Sequence, residues 1–320
     1  MTTRWVGIDE AGYGPNLGPM VMTAVVAEGP AGRAPDLWND LTATVARAGD
    51  PSDKLWVDDS KVILRAGQGR DRLETTCLAA LTASGRERPC SLGGLLAALG
   101  AGTLAETELS PWLGPAEGPV LPGPATRLRL DRAEALRPFE GAAWRLVSVR
   151  SVVVGPAKFN AGLEASGSKA KVHFAAFSRL LDALWAGAGE GGGTSVRSDK
   201  HGGRHYYYEP LLEVFPGAWI DRGPEGPLLS RYTVRDGGRR LELSLTPRAD
   251  AEDGLVALAS IVSKTVRELW MDAFNAHWLA RLPGLRPTAG YPTDAVRFRR
   301  AIEPDCRARG LDPSLWWRVK

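Results

Sequence analysis

The opening segment constrains the fold more than any other part of the chain. Trp5-Val-Gly-Ile-Asp9 reads as a short strand that runs straight into two carboxylates, Asp9 and Glu10. Gly12, Gly14, Pro15, Gly18 and Pro19 follow, and breakers at that density force a turn. Met20 to Ala27 is an apolar, Val-rich run with the character of a buried returning strand. A chain that opens this way begins with a hairpin whose loop is rich in exposed backbone N–H groups.

The pattern then alternates between helix and strand. Leu73, Cys77, Leu78 and Leu81 share one face of a predicted helix over 69–83. From about Gly85 to Pro124 the chain turns rich in Gly, Pro, Ala and Leu, and Pro115–Pro124 cannot continue a helix or a central strand, so about 85–140 reads as an insertion, part helical and part loop. Trp144 to Val154 reads as a third core strand and Lys169 to Trp185 as a helix, closed by the glycine run 187–193. Thr194 to Ser198 is a short strand that again ends in a carboxylate, Asp199. Two alternating runs around Asp-Gly-Gly make a hairpin over Tyr232–Leu245, which delivers the chain to Asp250, Glu252 and Asp253. Leu255, Leu258, Val262, Val266, Leu269 and Ala273 mark the strongest helix, from Gly254 to Leu282.

Three predicted strand ends thus each deliver Asp or Glu. Like charges brought together raise one another's pKa unless cations neutralise them. Oxygen ligands suit Mg²⁺ or Mn²⁺, whereas zinc would want His or Cys. Two such ions about 4 Å apart activate a water and stabilise the leaving oxygen in phosphodiester cleavage. A solvated sheet edge with ordinary helix caps is the alternative that spacing alone leaves open.

Four motifs bear on that choice. Gly7-Ile-Asp-Glu-Ala-Gly-Tyr-Gly-Pro-Asn-Leu-Gly-Pro19 resembles the first motif of the type 2 ribonucleases H, the ribonuclease HII/HIII family. Asp59-Ser60-Lys61 resembles the second, and Ala257-Leu-Ala-Ser-Ile-Val-Ser-Lys264 with Thr265-Val-Arg267 resembles the helix after the last catalytic aspartate. Gly290-Tyr291-Pro-Thr293 resembles the family's Gly-Tyr-Pro-Thr segment. All four stand in the family's order.

The resemblance implies an α/β, ribonuclease H-like fold: a mixed sheet flanked by helices, with insertions and a helical C-terminal part. One catalytic domain over 1–320 is expected, with insertions at about 85–140 and 200–240 and the helical part at 254–320. It implies a metal-dependent endoribonuclease with a two-metal site for Mg²⁺ or Mn²⁺. The substrate would be the RNA strand of an RNA–DNA hybrid, or a ribonucleotide within duplex DNA, and the ends 5′-phosphate and 3′-hydroxyl. Carried over by position, Asp9, Glu10, Asp199 and Asp250 would be the catalytic, metal-holding carboxylates. Asp250 is favoured over Asp253, whose other reading is the N-cap of the long helix. Gly12, Tyr13 and Gly14 would read the ribose 2′-OH, and Tyr291 would stack on the neighbouring deoxyribose. Ser60, Lys61 and Lys264 join the expected substrate contacts.

Two departures from the family shape the expectation. Tyr13 stands where the family's loop carries a basic residue, so specificity for hybrids broader than a single embedded ribonucleotide is expected. The stretch from Asp199 to Asp250 is longer than the family's and interleaves Lys200 and Arg204 with Tyr206–Tyr208, a combination that contacts phosphates and stacks bases. Packing of those tyrosines onto the sheet is the equal alternative. His201 is a candidate proton carrier, though a histidine in a glycine-rich turn is expected to be solvated. Trp316 and Trp317 read as docking residues.

Composition excludes other classes. The chain's 40 Lys+Arg against 37 Asp+Glu leave +3, too little for a strongly basic coat protein, and 44% hydrophobic content rules out wholesale disorder. Three cysteines without metal-ligand spacing fit no disulfide framework, and the start lacks a basic-then-apolar signal. A cytoplasmic monomer with no membrane contact is the expectation. Two other functions remain open: a family member that grips hybrids without cutting, and a related nuclease for another structured nucleic acid.

Overall fold

The computed structural model describes residues 2–100, 112, 118–188 and 192–319. Much of the 85–140 segment (101–111 and 113–117) and residues 189–191 of the glycine run lie outside the described residues. Strands β1 (Thr2–Ala11) and β2 (Met20–Pro30) form the opening hairpin, antiparallel from Thr2↔Pro30 to Ala11↔Val21. Helices α1 (Ser60–Arg65) and α2 (Gly69–Ala83) precede β3 (Arg145–Val154), α3 (Lys169–Ala186) and β4 (Gly193–Asp199). Next come β5 (Trp219–Glu225), β6 (Ser230–Asp236) and β7 (Arg239–Thr246). One turn, α4 (Ala249–Glu252), leads into α5 (Gly254–Leu279), and α6 (Pro292–Ala308) follows.

Seven strands form one mixed sheet in the order β3-β2-β1-β4-β7-β6-β5. β1, β4 and β7 lie side by side and parallel, while the pairings further out are antiparallel. The expected mixed sheet flanked by helices is therefore the observed one. Parallel neighbours finish on the same edge, so whatever follows β1, β4 and β7 in sequence is brought together there.

Both faces of β2 are buried, which is why the run from Met20 does not alternate with polar residues. Val21, Val25 and Ala27 face a core built with α2 and α5; Met20, Met22, Ala24 and Val26 face a second core shared with α3. Leu255, Leu258, Val262, Val266, Leu269 and Ala273 are all buried, as the periodicity predicts. Fully burying a side chain of this size stabilises by about 2 kcal/mol, so the α5 stripe anchors the helix firmly. The helix begins directly on β1. A Cβ on Gly7 would lie 2.2 Å from the Leu255 carbonyl carbon, so only glycine allows this approach. Around the 85–140 segment, helices at Leu92–Ala98 and Pro124–Ala135 bury Leu92, Leu95, Leu96 and Leu130 in the same core as α5. Among the described residues no helix is long and apolar enough to cross a membrane.

Candidate active site

The C-terminal edge of the three parallel strands collects the acids. Ile8 pairs with Ser198, so Asp9 and Asp199 leave adjacent strands at the same level. Asp199 pairs with Thr246 of β7, and four residues further on Asp250 is buried in α4. Asp9 is pushed well above the ordinary aspartate range by burial, then by the charges of Glu10 and Asp250. Asp250 is raised to about 6 by burial, followed by the charges of Asp59 and Asp199. Asp199 is raised by burial and by Glu10, although its carboxylate accepts hydrogen bonds from the backbone N–H groups of Lys200, Ala249 and Arg248. These four acids feel one another, and Lys61, which lowers Asp250, does not outweigh burial and the neighbouring acids.

Asp253 is spent elsewhere. One carboxylate oxygen caps α5, accepting from the N–H groups of Leu255 and Val256, while the other pairs with Arg197 at 3.2 Å. The cap reading of Asp253 holds, and Asp250 is the acid coupled to Asp9 and Asp199.

The Asp59-Ser60-Lys61 motif divides into three roles. Asp59 caps α1 through the Lys61 N–H and its charge raises the pKa of Asp250; it is not among the residues expected from the sequence, because its capping pattern accounts for it locally. Ser60 is buried, and its Oγ lies 3.0 Å from that of Ser260, which hydrogen-bonds the Asp9 carboxylate. Lys61 is exposed and is the cation that partly lowers Asp250. One turn along α5, Ser263 Oγ bridges the Asp9 carbonyl and the Thr23 hydroxyl. The helix that carries the third of the four motifs thus holds the backbone and side chain of the first carboxylate.

The loop after β1 is clamped from two sides. Gly12 has φ +88°, and a Cβ there would meet the Pro19 carbonyl oxygen at 2.4 Å. Gly14 differs, because nothing lies within 4 Å of its added Cβ and the residue is exposed. Gly290 accepts from the N–H groups of Asn16 and Leu17, which brings the half-exposed Tyr291 beside the loop. Arg267, buried, donates to the carbonyls of Leu17 and Ala289 and lies 5.6 Å from the Tyr291 ring centroid. Arg318, also buried, donates to the Tyr13 and Pro15 carbonyls, while Asn16 returns a bond to the Arg318 carbonyl. Arg318 carries no local sequence signal, although its partners Tyr13, Pro15 and Asn16 lie in the first motif. Trp316 is buried next to it, as expected of a docking residue.

The remaining candidates separate. Arg204 lies over Phe174 and Tyr207 and is close enough to Tyr13 to pull its pKa down against the larger effect of burial. It opens onto a cavity of about 630 Å³ lined also by Lys171, Arg179, Glu209 and Glu213. Lys200 Nζ donates to Ser230 Oγ at 2.7 Å, and Lys264 Nζ pairs with Glu268 Oε1 at 2.6 Å, so both lysines are held by internal partners. The tyrosine run also splits: Tyr207 is fully buried, Tyr206 is exposed, and Tyr208 packs under Arg222.

His201 departs from the expectation of a solvated turn. It is buried among His173, Phe177 and Tyr207, and burial, then His173, pushes it well below the ordinary histidine range. The turn folds back onto α3, which a local reading cannot see. His173 itself, absent from the sequence-based candidates, lies with Nε2 3.4 Å from Glu10 Oε2.

The donor chemistry fits a hard divalent cation, since four carboxylates gather at one edge and the three aspartates among them are raised in proton affinity. Among the described residues, no group of three or more His, Cys, Asp or Glu stands as a ready-made metal cage. Magnesium commonly takes one or two carboxylates and completes its shell with water and substrate phosphate, so an open arrangement of this kind suits it.

Comparison with known proteins adds likeness of fold. No protein-family profile matches the chain, and no curated sequence matches it. Among solved structures, it is similar to ribonuclease HII of Archaeoglobus fulgidus, determined in complex with PCNA. That likeness has 17% identity over 99% of this chain and 94% of the other, with a TM-score of 0.42. The ribonuclease H2 of Pyrococcus horikoshii OT3 aligns over 98% and 92% at 14% identity, TM-score 0.42. Bst-RNase HIII in complex with Mn²⁺ aligns over 99% and 66% at 15% identity, TM-score 0.39. The likeness is to type 2 ribonucleases H.

Proposed function

We propose that this chain is a type 2 ribonuclease H. It hydrolyses the RNA strand of RNA–DNA hybrids, or the bond at ribonucleotides embedded in duplex DNA, and leaves 5′-phosphate and 3′-hydroxyl ends. The observation that carries this reading is the meeting of Asp9, Glu10, Asp199 and Asp250 at the edge where three adjacent parallel strands end, with the three aspartates raised in proton affinity. The four sequence motifs support it, because each one contributes to this edge or to the loop beside it.

Asp9, Glu10, Asp199 and Asp250 would hold Mg²⁺ or Mn²⁺. Such ions supply an activated water and neutralise charge on the leaving oxygen. The chain's own residues then do the positioning. Ser260 fixes the Asp9 carboxylate, and Ser263 fixes its backbone carbonyl. Gly14 is exposed, with open space where a Cβ would stand, so a ribose and its phosphate can approach the backbone there. The exposed ring of Tyr291 offers an apolar face to a neighbouring sugar, and Lys61 a cation to phosphate. Arg204 beside Tyr13 adds a second phosphate contact.

The test is cleavage of end-labelled hybrid, single-ribonucleotide duplex and all-DNA duplex, with Mg²⁺, with Mn²⁺ and with EDTA. Metal-dependent cutting confined to substrates containing ribonucleotides is expected. Binding without cutting under every condition, or cutting of all-DNA duplex alone, would overturn the assignment.

A further inference from the structure

One buried side chain joins the acids to the glycine loop. His173, on α3, is 2% exposed, and its Nε2 lies 3.4 Å from Glu10 Oε2. Two rings also pack against it. Tyr13 meets the imidazole edge-on at 5.0 Å between centroids, and His201 meets it at 4.5 Å. Its Nδ1 is buried and has no hydrogen-bond partner. A ring protonated only on Nδ1 would leave that buried donor unmatched and aim a lone pair at a carboxylate. The proton therefore sits on Nε2, facing Glu10.

Glu10 needs such a neighbour more than the other acids do. Asp9 is hydrogen-bonded by Ser260 and Asp199 by three backbone N–H groups, whereas the Glu10 side chain is longer and 23% exposed. A free glutamate loses up to about 2 kcal/mol of rotamer entropy when it is held in place. A rigid donor packed between two rings reduces that loss at the moment of cation binding. We propose that His173 is a positioning residue, which orients Glu10 for divalent-cation binding and braces Tyr13 beside it. This inference rests on the function proposed above, because it assigns a partner to one of that site's carboxylates. Truncating an outer partner of a metal-binding carboxylate typically weakens affinity about 10- to 100-fold.

The experiment is Mn²⁺ titration calorimetry on the full chain, comparing His173→Leu, His173→Gln and His173→Asn with the unaltered protein. Gln carries a side-chain NH₂ near the place of Nε2, whereas Asn is too short to reach it. The expected result is about 10-fold or greater loss of Mn²⁺ affinity for Leu and Asn, with Gln within a few-fold of the parent. In the cleavage assay, the Leu variant recovers rate as Mn²⁺ is raised, which a fold defect would not allow. Equal affinity for all four proteins overturns the inference, as does an equal loss for Gln and Asn. If the Leu variant does not fold, the Gln–Asn pair decides alone. Failure of the unaltered protein to bind Mn²⁺ is a different outcome, for it overturns the proposed function itself.

Discussion

Two clusters of buried charge touch α5, and they are built in opposite ways. About two turns beyond Ser260, Glu268 is ringed by cations: Lys264 at 2.6 Å, Arg70 at 3.1 Å and Arg267 at 3.2 Å. Burial pushes Glu268 up, yet Lys264, Arg267 and Arg70 outweigh it and hold the carboxyl below its ordinary range. At the strand ends, burial and neighbouring acids act together, and Asp9, Asp199 and Asp250 all rise. A fold that neutralises a buried acid beside the same helix leaves these raised, because Lys61 and the hydrogen bonds they accept offset burial and repulsion only in part. The first cluster is complete in itself; the second calls for positive charge from outside.

The sharpest way to break this contrast is to remove one acid from each cluster. Asp9→Asn is expected to lower cleavage by at least roughly 1,000-fold, the loss of several kcal/mol of transition-state stabilisation. Its melting temperature without metal should equal or exceed the parent's, since a like charge has gone. A measured fall in stability would place Asp9 with the structural acids. Glu268→Gln should do the reverse, costing about 3 kcal/mol in urea unfolding because three cations lose their counter-charge. Cleavage by the folded fraction should persist.

Titration sharpens the comparison further. Asp250 binds its proton more tightly in the folded chain, at about 6 against 3.8 for an ordinary aspartate. Between those values the native state holds more protons than the unfolded one, so metal-free stability falls as pH rises through that window. Asp9 adds to the same trend. Saturating Mn²⁺ should flatten it, and thermal melts from pH 4 to 7 with EDTA or Mn²⁺ would show whether it does. The smallest expected effect separates Asp250 from its neighbour. Asp253→Ala should cost about 1 kcal/mol for the lost cap and leave Mn²⁺ affinity within a few-fold. Asp250→Asn should instead abolish cleavage at little cost in stability.

Legibility in the sequence followed the range of the interaction. β1, the β6–β7 hairpin and α5 announced themselves, because period and turn chemistry act over a few residues. Asp9 and Asp199 were visible as the last residues of predicted strands, and the cap pattern distinguished Asp253 from Asp250. Lys264 carries a local signal of its internal partner, for Glu268 stands four residues on, on the same helix face. Lys200 carried none, since Ser230 reaches it only through the fold of the intervening hairpin. Asp59 looked complete as a cap, and His201 looked solvated until α3 covered it.

The sequence by itself determined which segments become strands and helices, and that several of them end in acid. Backbone preference and apolar periodicity are local, and they survive without knowledge of neighbours. Only the tertiary structure decided that β1, β4 and β7 run parallel and adjacent, so that acids remote in sequence share one edge. It also decided which charges are answered from within, which depends on approach across hundreds of residues. His173 against Glu10 and Arg318 against the Tyr13 loop are such contacts, and no pattern in the chain foretells them.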